Sequence, residues 1–112
     1  MERFTHNKLV RDKIPEVIES SGGQYEIRVL GEEEFRRELV NKLTEEAKEL
    51  SSVDPKGLVD EMADVLELLK ALAKENGIDF RVVEEKQVSK REERGGFQRR
   101  LFLVWSSAPS GR

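Results

Sequence analysis

Cysteine is missing altogether from these 112 residues. Disulfides, thiolate nucleophiles and Cys-ligated zinc are thereby excluded. Histidine occurs once, as His6, which leaves too few members for a His-built zinc site or a Ser-His-Asp triad. Aromatic residues make up only 6% of the chain and the net charge is −3; with no RNP-like or zinc-finger spacing, nucleic acid is not an expected partner. No apolar run approaches the roughly 18 residues that span a bilayer, so no membrane partner is expected either. The opening MERFTHNKLVRDK is positively charged without an apolar stretch behind it, which reads against a secretory signal and makes a cytoplasmic protein the expectation.

What the chain does have is charge, 38% of residues against 37% hydrophobic. The length suits a modest core and is too short for a dinucleotide-binding half plus a catalytic domain. With thiols and imidazole clusters gone, demanding chemistry falls to carboxylates, with or without a hard metal ion.

No internal repeat, low-complexity tract or Pro/Gly/Ser linker interrupts the chain, so residues 1–105 read as one domain and 106–112, SSAPSGR, as a disordered tail. Pro15 suits the first turn of a short helix running to Ser21, which Gly22-Gly23 ends. Gln24 to Leu30 alternates Tyr25, Ile27 and Val29 with Glu26 and Arg28, the pattern of a half-buried strand. An amphipathic helix is expected from Glu32 to Val53, with Phe35, Leu39, Leu43, Ala47 and Leu50 at spacings of three and four. Asp54-Pro55-Lys56-Gly57 supplies a turn. A second long helix runs from Leu58 to Asn76 and ends at Gly77. Asp79 caps a third through Arg94, Gly95-Gly96 breaks it, and Phe97 to Trp105 reads as a strand pairing with 24–30. The expected fold is mainly α, an antiparallel helical bundle with a small two-stranded β element.

Four carboxylates lie where apolar residues belong. At about 100° per residue, with Phe35 at zero, the stripe of the 32–53 helix covers roughly 0° to 120°, and Glu46 falls near 20°, with Glu49 at its edge. On the next helix, with Leu58 at zero, the apolar arc runs from roughly 220° round to 80°, and Glu61 and Asp64 sit near 300° and 240°. An arc that wide implies a helix covered on more than one side, which favours an oligomer. Buried carboxylates must be neutralised, paired or metal-bound. The pairs Glu46/Glu49 and Glu61/Asp64 occupy consecutive helices joined by a short turn, so the four could converge, and oxygen-only ligation suits Mg2+ or Mn2+. Alternatively they bond Lys42, Lys48 or Lys70, or lie on a solvated rim.

Charge is also segregated along the chain. Residues 45–64 balance to −5, with Glu45, Glu46, Glu49, Asp54, Asp60, Glu61 and Asp64 against Lys48 and Lys56. Residues 86–100 balance to +4, with Lys86, Lys90, Arg91, Arg94, Arg99 and Arg100 against Glu92 and Glu93. Lys8, Arg11 and Lys13 form a second basic cluster. An acidic metal site with basic, Gly-punctuated segments is what a polyphosphate substrate requires, although a basic helix face is also ordinary solvated surface.

Lys8-Leu9-Val10-Arg11-Asp12-Lys13-Ile14-Pro15, Glu45-Glu46-Ala47-Lys48-Glu49-Leu50, Glu61-Met62-Ala63-Asp64-Val65-Leu66 and Arg94-Gly95-Gly96-Phe97, in this order, resemble a small MazG-like nucleoside triphosphate pyrophosphohydrolase. Such proteins belong to the all-α NTP pyrophosphatase superfamily, with dimeric dUTPases and phosphoribosyl-ATP pyrophosphohydrolase. The resemblance implies cleavage of a nucleotide between its α and β phosphates, giving monophosphate and pyrophosphate, in a house-cleaning role performed by dimers or tetramers. It implies Glu46, Glu49, Glu61 and Asp64 as Mg2+ ligands, and Lys90 and Arg94, at i, i+4, as phosphate-binding residues. Arg11, Lys13 and the Gly95-Gly96 backbone are weaker candidates for substrate contact, and Glu46 or Glu45 for the catalytic base. Two departures stand out: the link between the carboxylate pairs is short, and the Asn that many relatives carry on the third helix is not evident, so base and sugar preference do not transfer. The alternatives are phosphoribosyl-ATP pyrophosphohydrolase and a non-catalytic helical interaction module.

Overall fold

The computed structural model describes residues 2–109. Its regular elements there are four helices, α1 (Ile14–Ser20), α2 (Glu32–Glu49), α3 (Pro55–Glu75) and α4 (Phe80–Arg94). The chain divides into two compact units, one up to Ile78 and one from Asp79 onward.

In the first unit, α1 begins with Pro at its first turn and closes through Gly22, whose φ of +80° lets Gly23 N–H reach back to Ile18 O at 2.9 Å. Helix α2 ends at Glu49, four residues short of the expected Val53. There the hydroxyls of Ser51 and Ser52 donate to Lys48 O and Glu49 O, and such side-chain bonds compete with further helix. Helix α3 begins three residues earlier than expected, because the Asp54-Pro55 pair expected to turn the chain starts the helix instead. Asp54 Oδ1 accepts from Gly57 N–H at 2.8 Å and Pro55 fills the first turn, where its missing N–H costs nothing. At the far end Gly77, at φ +68°, allows the bond from Ile78 N–H to Ala73 O that satisfies a terminal carbonyl.

Helices α2 and α3 pack on each other through a short link, 50–54. Arg36, near the start of α2, lies 3.7 Å from Glu75, at the end of α3, so the two run antiparallel. Among the described residues, Leu39, 2% exposed, Leu68 and Ala73 are the buried ones, flanked by half-buried Phe35, Leu43, Val65 and Leu72. The outer face of α3 is apolar too, yet Val59, Met62, Leu66 and Leu69 are exposed.

The expected strand at 24–30 does not form. Val29 is 94% exposed, and the polar groups bond locally: Tyr25 Oη donates to Glu19 Oε1 at 2.6 Å, and Arg28 grips Glu34 with two bonds of 2.9 and 2.7 Å. A strand needs a backbone partner, and alternation alone supplies none. The segment is instead a loop tied to the helices on either side.

In the second unit, α4 is capped by Asp79, whose Oδ1 accepts from Arg81 N–H at 3.0 Å, and it buries no residue. Phe97 to Trp105 does not form the expected strand either. Arg100 adopts a positive φ of 57°, which breaks an extended run, and Phe102 is 90% exposed. The two-stranded β element is therefore absent among the described residues. Residues 106–109 carry neither helix nor strand, and the rest of the expected disordered tail, 110–112, lies outside the described residues.

Candidate metal centre

Glu46 faces α3 because it shares the α2 stripe with Leu39 and Leu43, as the 3.6-residue period requires. Glu61 and Asp64, three residues apart on α3, meet it. One oxygen from each of Glu46, Glu61 and Asp64 lies within 4.8 Å of the others, and all three residues are half-buried. Glu61 Oε2 is buried and makes no hydrogen bond. Such an orphan is costly unless a proton or a cation satisfies it.

The electrostatics agree with that strain. The Glu61 carboxyl is pushed up from 4.5 to about 7, first by hydrogen bonding with Glu46, then by burial and by the negative charges of Glu46 and Glu49. Glu61 thus holds a proton where an ordinary glutamate has lost it, or yields that proton to a cation.

Two basic side chains flank the cluster. Arg11, from the segment before α1, donates to Asp64 Oδ1 at 2.7 Å. Lys42, one turn before Glu46 on α2, stands 3.8 Å from its carboxylate. The Lys42 pairing is an i, i+4 spacing legible in the sequence, and it was one of the alternatives to metal ligation. The Arg11 pairing joins residues 53 positions apart, and local pattern carries no signal for it.

The remaining candidates are placed as follows. Glu49 is exposed near the end of α2, close enough to act on Glu61 but outside the group of three. Glu45 is exposed beside Glu46, and Lys13 is exposed at the N-cap of α1. Lys90 and Arg94 are exposed on α4, and Gly95 is its C-cap, followed by Gly96, all in the second unit. The cluster of the first unit is thus assembled without them.

Converging carboxylates with an orphaned oxygen, on an antiparallel helix pair, define an acidic site of the kind that holds a hard divalent cation. The donor set of oxygens alone fits Mg2+ or Mn2+. The MazG-like family matches residues 26–98, more than half of the chain, and the chain belongs to that family. Members of that family are in general nucleotide pyrophosphohydrolases dependent on a divalent metal. A stretch of 47 residues is 47% identical to an uncharacterised protein of Mycolicibacterium smegmatis (strain ATCC 700084 / mc(2)155), covering 42% of this chain and 48% of that relative. The match thus spans about half of the relative's length. No solved structure matches.

Proposed function

We propose that this protein is a Mg2+-dependent nucleoside triphosphate pyrophosphohydrolase that cleaves between the α and β phosphates, releasing monophosphate and pyrophosphate. Its role is house-cleaning of noncanonical nucleotides, in the cytoplasm, performed by one domain over residues 1–105. The observation that carries this reading is the meeting of Glu46, Glu61 and Asp64 within 4.8 Å, with a buried oxygen of Glu61 left over, in a chain of the MazG-like family.

In this reading Glu46, Glu61 and Asp64 hold the cation, with Glu49 as a fourth ligand. Bound Mg2+, or Mn2+ in its place, would neutralise charge on the phosphate oxygens and favour attack by water. Glu46 or the neighbouring Glu45 takes the proton from that water, a role open to any carboxylate within reach of it. Arg11, Lys13, Lys90 and Arg94 supply positive charge for the outer phosphates, and the Gly95-Gly96 backbone supplies amide donors.

The reading is tested by incubating the purified protein with Mg2+ and a panel of canonical and noncanonical nucleoside triphosphates, then separating the products. Monophosphate plus pyrophosphate, lost in EDTA and in Glu61→Gln, is the expected outcome. Diphosphate plus phosphate would place the cut at the wrong bond. Turnover of phosphoribosyl-ATP alone would assign the related phosphoribosyl-ATP pyrophosphohydrolase activity.

A second observation bears on assembly. Leu50, Met62, Ala63, Val65, Leu66 and Leu69 line an apolar groove, and Met62 is 58% exposed. Apolar surface of this kind marks a docking face, and we propose that the protein works as a homo-oligomer, a dimer or tetramer. Among the described residues no helix is long and apolar enough to cross a membrane. If no nucleotide is consumed and no Mg2+ bound, the groove favours an interaction module instead.

A further inference from the structure

Arg11 is a cation already seated on the acidic cluster. Its Nη2 donates to Asp64 Oδ1 at 2.7 Å, while Asp64 also offers an oxygen within 4.8 Å of Glu46 and Glu61. The side chains of Arg11 and Asp64 are 57% and 42% exposed, so the bond has the modest strength of a surface ion pair. A guanidinium carries a full positive charge. A divalent ion placed among the same carboxylates would face that charge at short range, and the two would repel.

Resting on the metal site proposed above, we propose that Arg11 is an exchangeable placeholder, neutralising Asp64 until the cation arrives and then releasing it. The anchoring of Arg11 supports exchange. Its carbonyl accepts from Ile14 N–H at 3.1 Å, which holds the backbone at the start of α1, while the exposed side chain can swing without unpacking any core. Lys42 differs. It sits on α2 itself, is more covered, and stands 3.8 Å from Glu46.

The released guanidinium presents a planar fork that matches two phosphate oxygens. Cation and nucleotide then help each other. The cation frees the arginine, and the phosphate stabilises it in its freed position. By linkage each tightens the other's binding.

Calorimetric titration of the full chain with Mg2+ alone, without nucleotide, tests the exchange. Arg11→Ala is expected to bind Mg2+ about two- to fivefold more tightly than wild type, the factor a surface ion pair is worth, and to melt at a lower temperature in EDTA. Arg11→Lys, which keeps the charge, should return toward the wild-type affinity. Arg11→Gln, which can still donate to Asp64, takes the place of the alanine variant if that fails to fold. Affinity unchanged or weakened in the uncharged variants, while wild type binds and Glu61→Gln does not, would overturn the exchange and leave the metal site standing. Absence of Mg2+ binding in wild type and Arg11→Ala alike would overturn both.

Discussion

The helix pair α2–α3 and the unit formed by α4 with the C-terminal segment are both rich in charge and both carry apolar residues, yet only the pair builds a core. Leu39, Leu68 and Ala73 are buried there, whereas α4 buries nothing and Phe102 stands 90% exposed. The difference lies in how apolar positions are arranged. On α2 and α3 they recur every three or four residues over five or six turns, and a five-residue link brings the stripes together. On α4 they are sparse, and in 101–105 they are consecutive, a pattern that makes no single helical face. The acidic cluster belongs to the first arrangement, where the packing of α2 on α3 brings oxygens of Glu46, Glu61 and Asp64 within 4.8 Å of one another.

The largest effects are expected at the carboxylate cluster of the helix pair. Glu61→Gln and Asp64→Asn are each expected to lower Mg2+-dependent turnover by about a hundredfold or more, since each removes one of the proposed ligands of the cation; full activity in either would remove it from the proposed site. Leu39→Ala should cost about 2–5 kcal/mol, the range for a buried leucine. Denaturant unfolding measures it, and a loss below that range would mean the helix pair is not the stabilising core. Met62→Asp and Leu66→Asp, on the exposed face of α3, should leave the fold intact and split the proposed oligomer, read by light scattering on a sizing column; a wild type that is already monomeric would overturn that proposal.

A smaller effect separates charge from packing. The proton on Glu61 is held up to about 7 in the folded chain against 4.5 normally, so the folded state binds more protons than the unfolded one between those values. The stability Glu61 contributes is fully present below 4.5 and is lost as the pH rises through about 7. Thermal melts in EDTA should therefore fall across that window in wild type and flatten in Glu61→Gln. Smallest of all in stability is Arg94→Ala. The residue is exposed on a helix with no buried residue, so unfolding should shift by less than about 0.5 kcal/mol. A rise in KM or a fall in kcat would tie α4 to substrate, and unchanged kinetics would separate it from the reaction.

Much of this was legible residue by residue. The existence of the helices, the stop at Gly77, the Asp79 cap and the presence of Glu46, Glu61 and Asp64 within apolar stripes all follow from spacing, because helical period and cap chemistry involve neighbours within one or two turns. The strands failed for the opposite reason. Tyr25, Ile27 and Val29 alternate correctly, but a ladder is made of bonds to another segment, and Glu19 and Glu34 hold Tyr25 and Arg28 locally instead.

Local spacing thus fixes which segments coil, where Gly77 and Asp79 end and start them, and that Glu46, Glu61 and Asp64 share faces with leucines. It takes the packed fold to bring oxygens of Glu46, Glu61 and Asp64 within 4.8 Å, to leave Glu61 Oε2 without a hydrogen bond, and to carry Arg11 across 53 positions to Asp64. Periodicity is a property of one helix. Convergence depends on how two helices and a distant segment pack, and side-chain distances of a few ångströms are set by that packing alone.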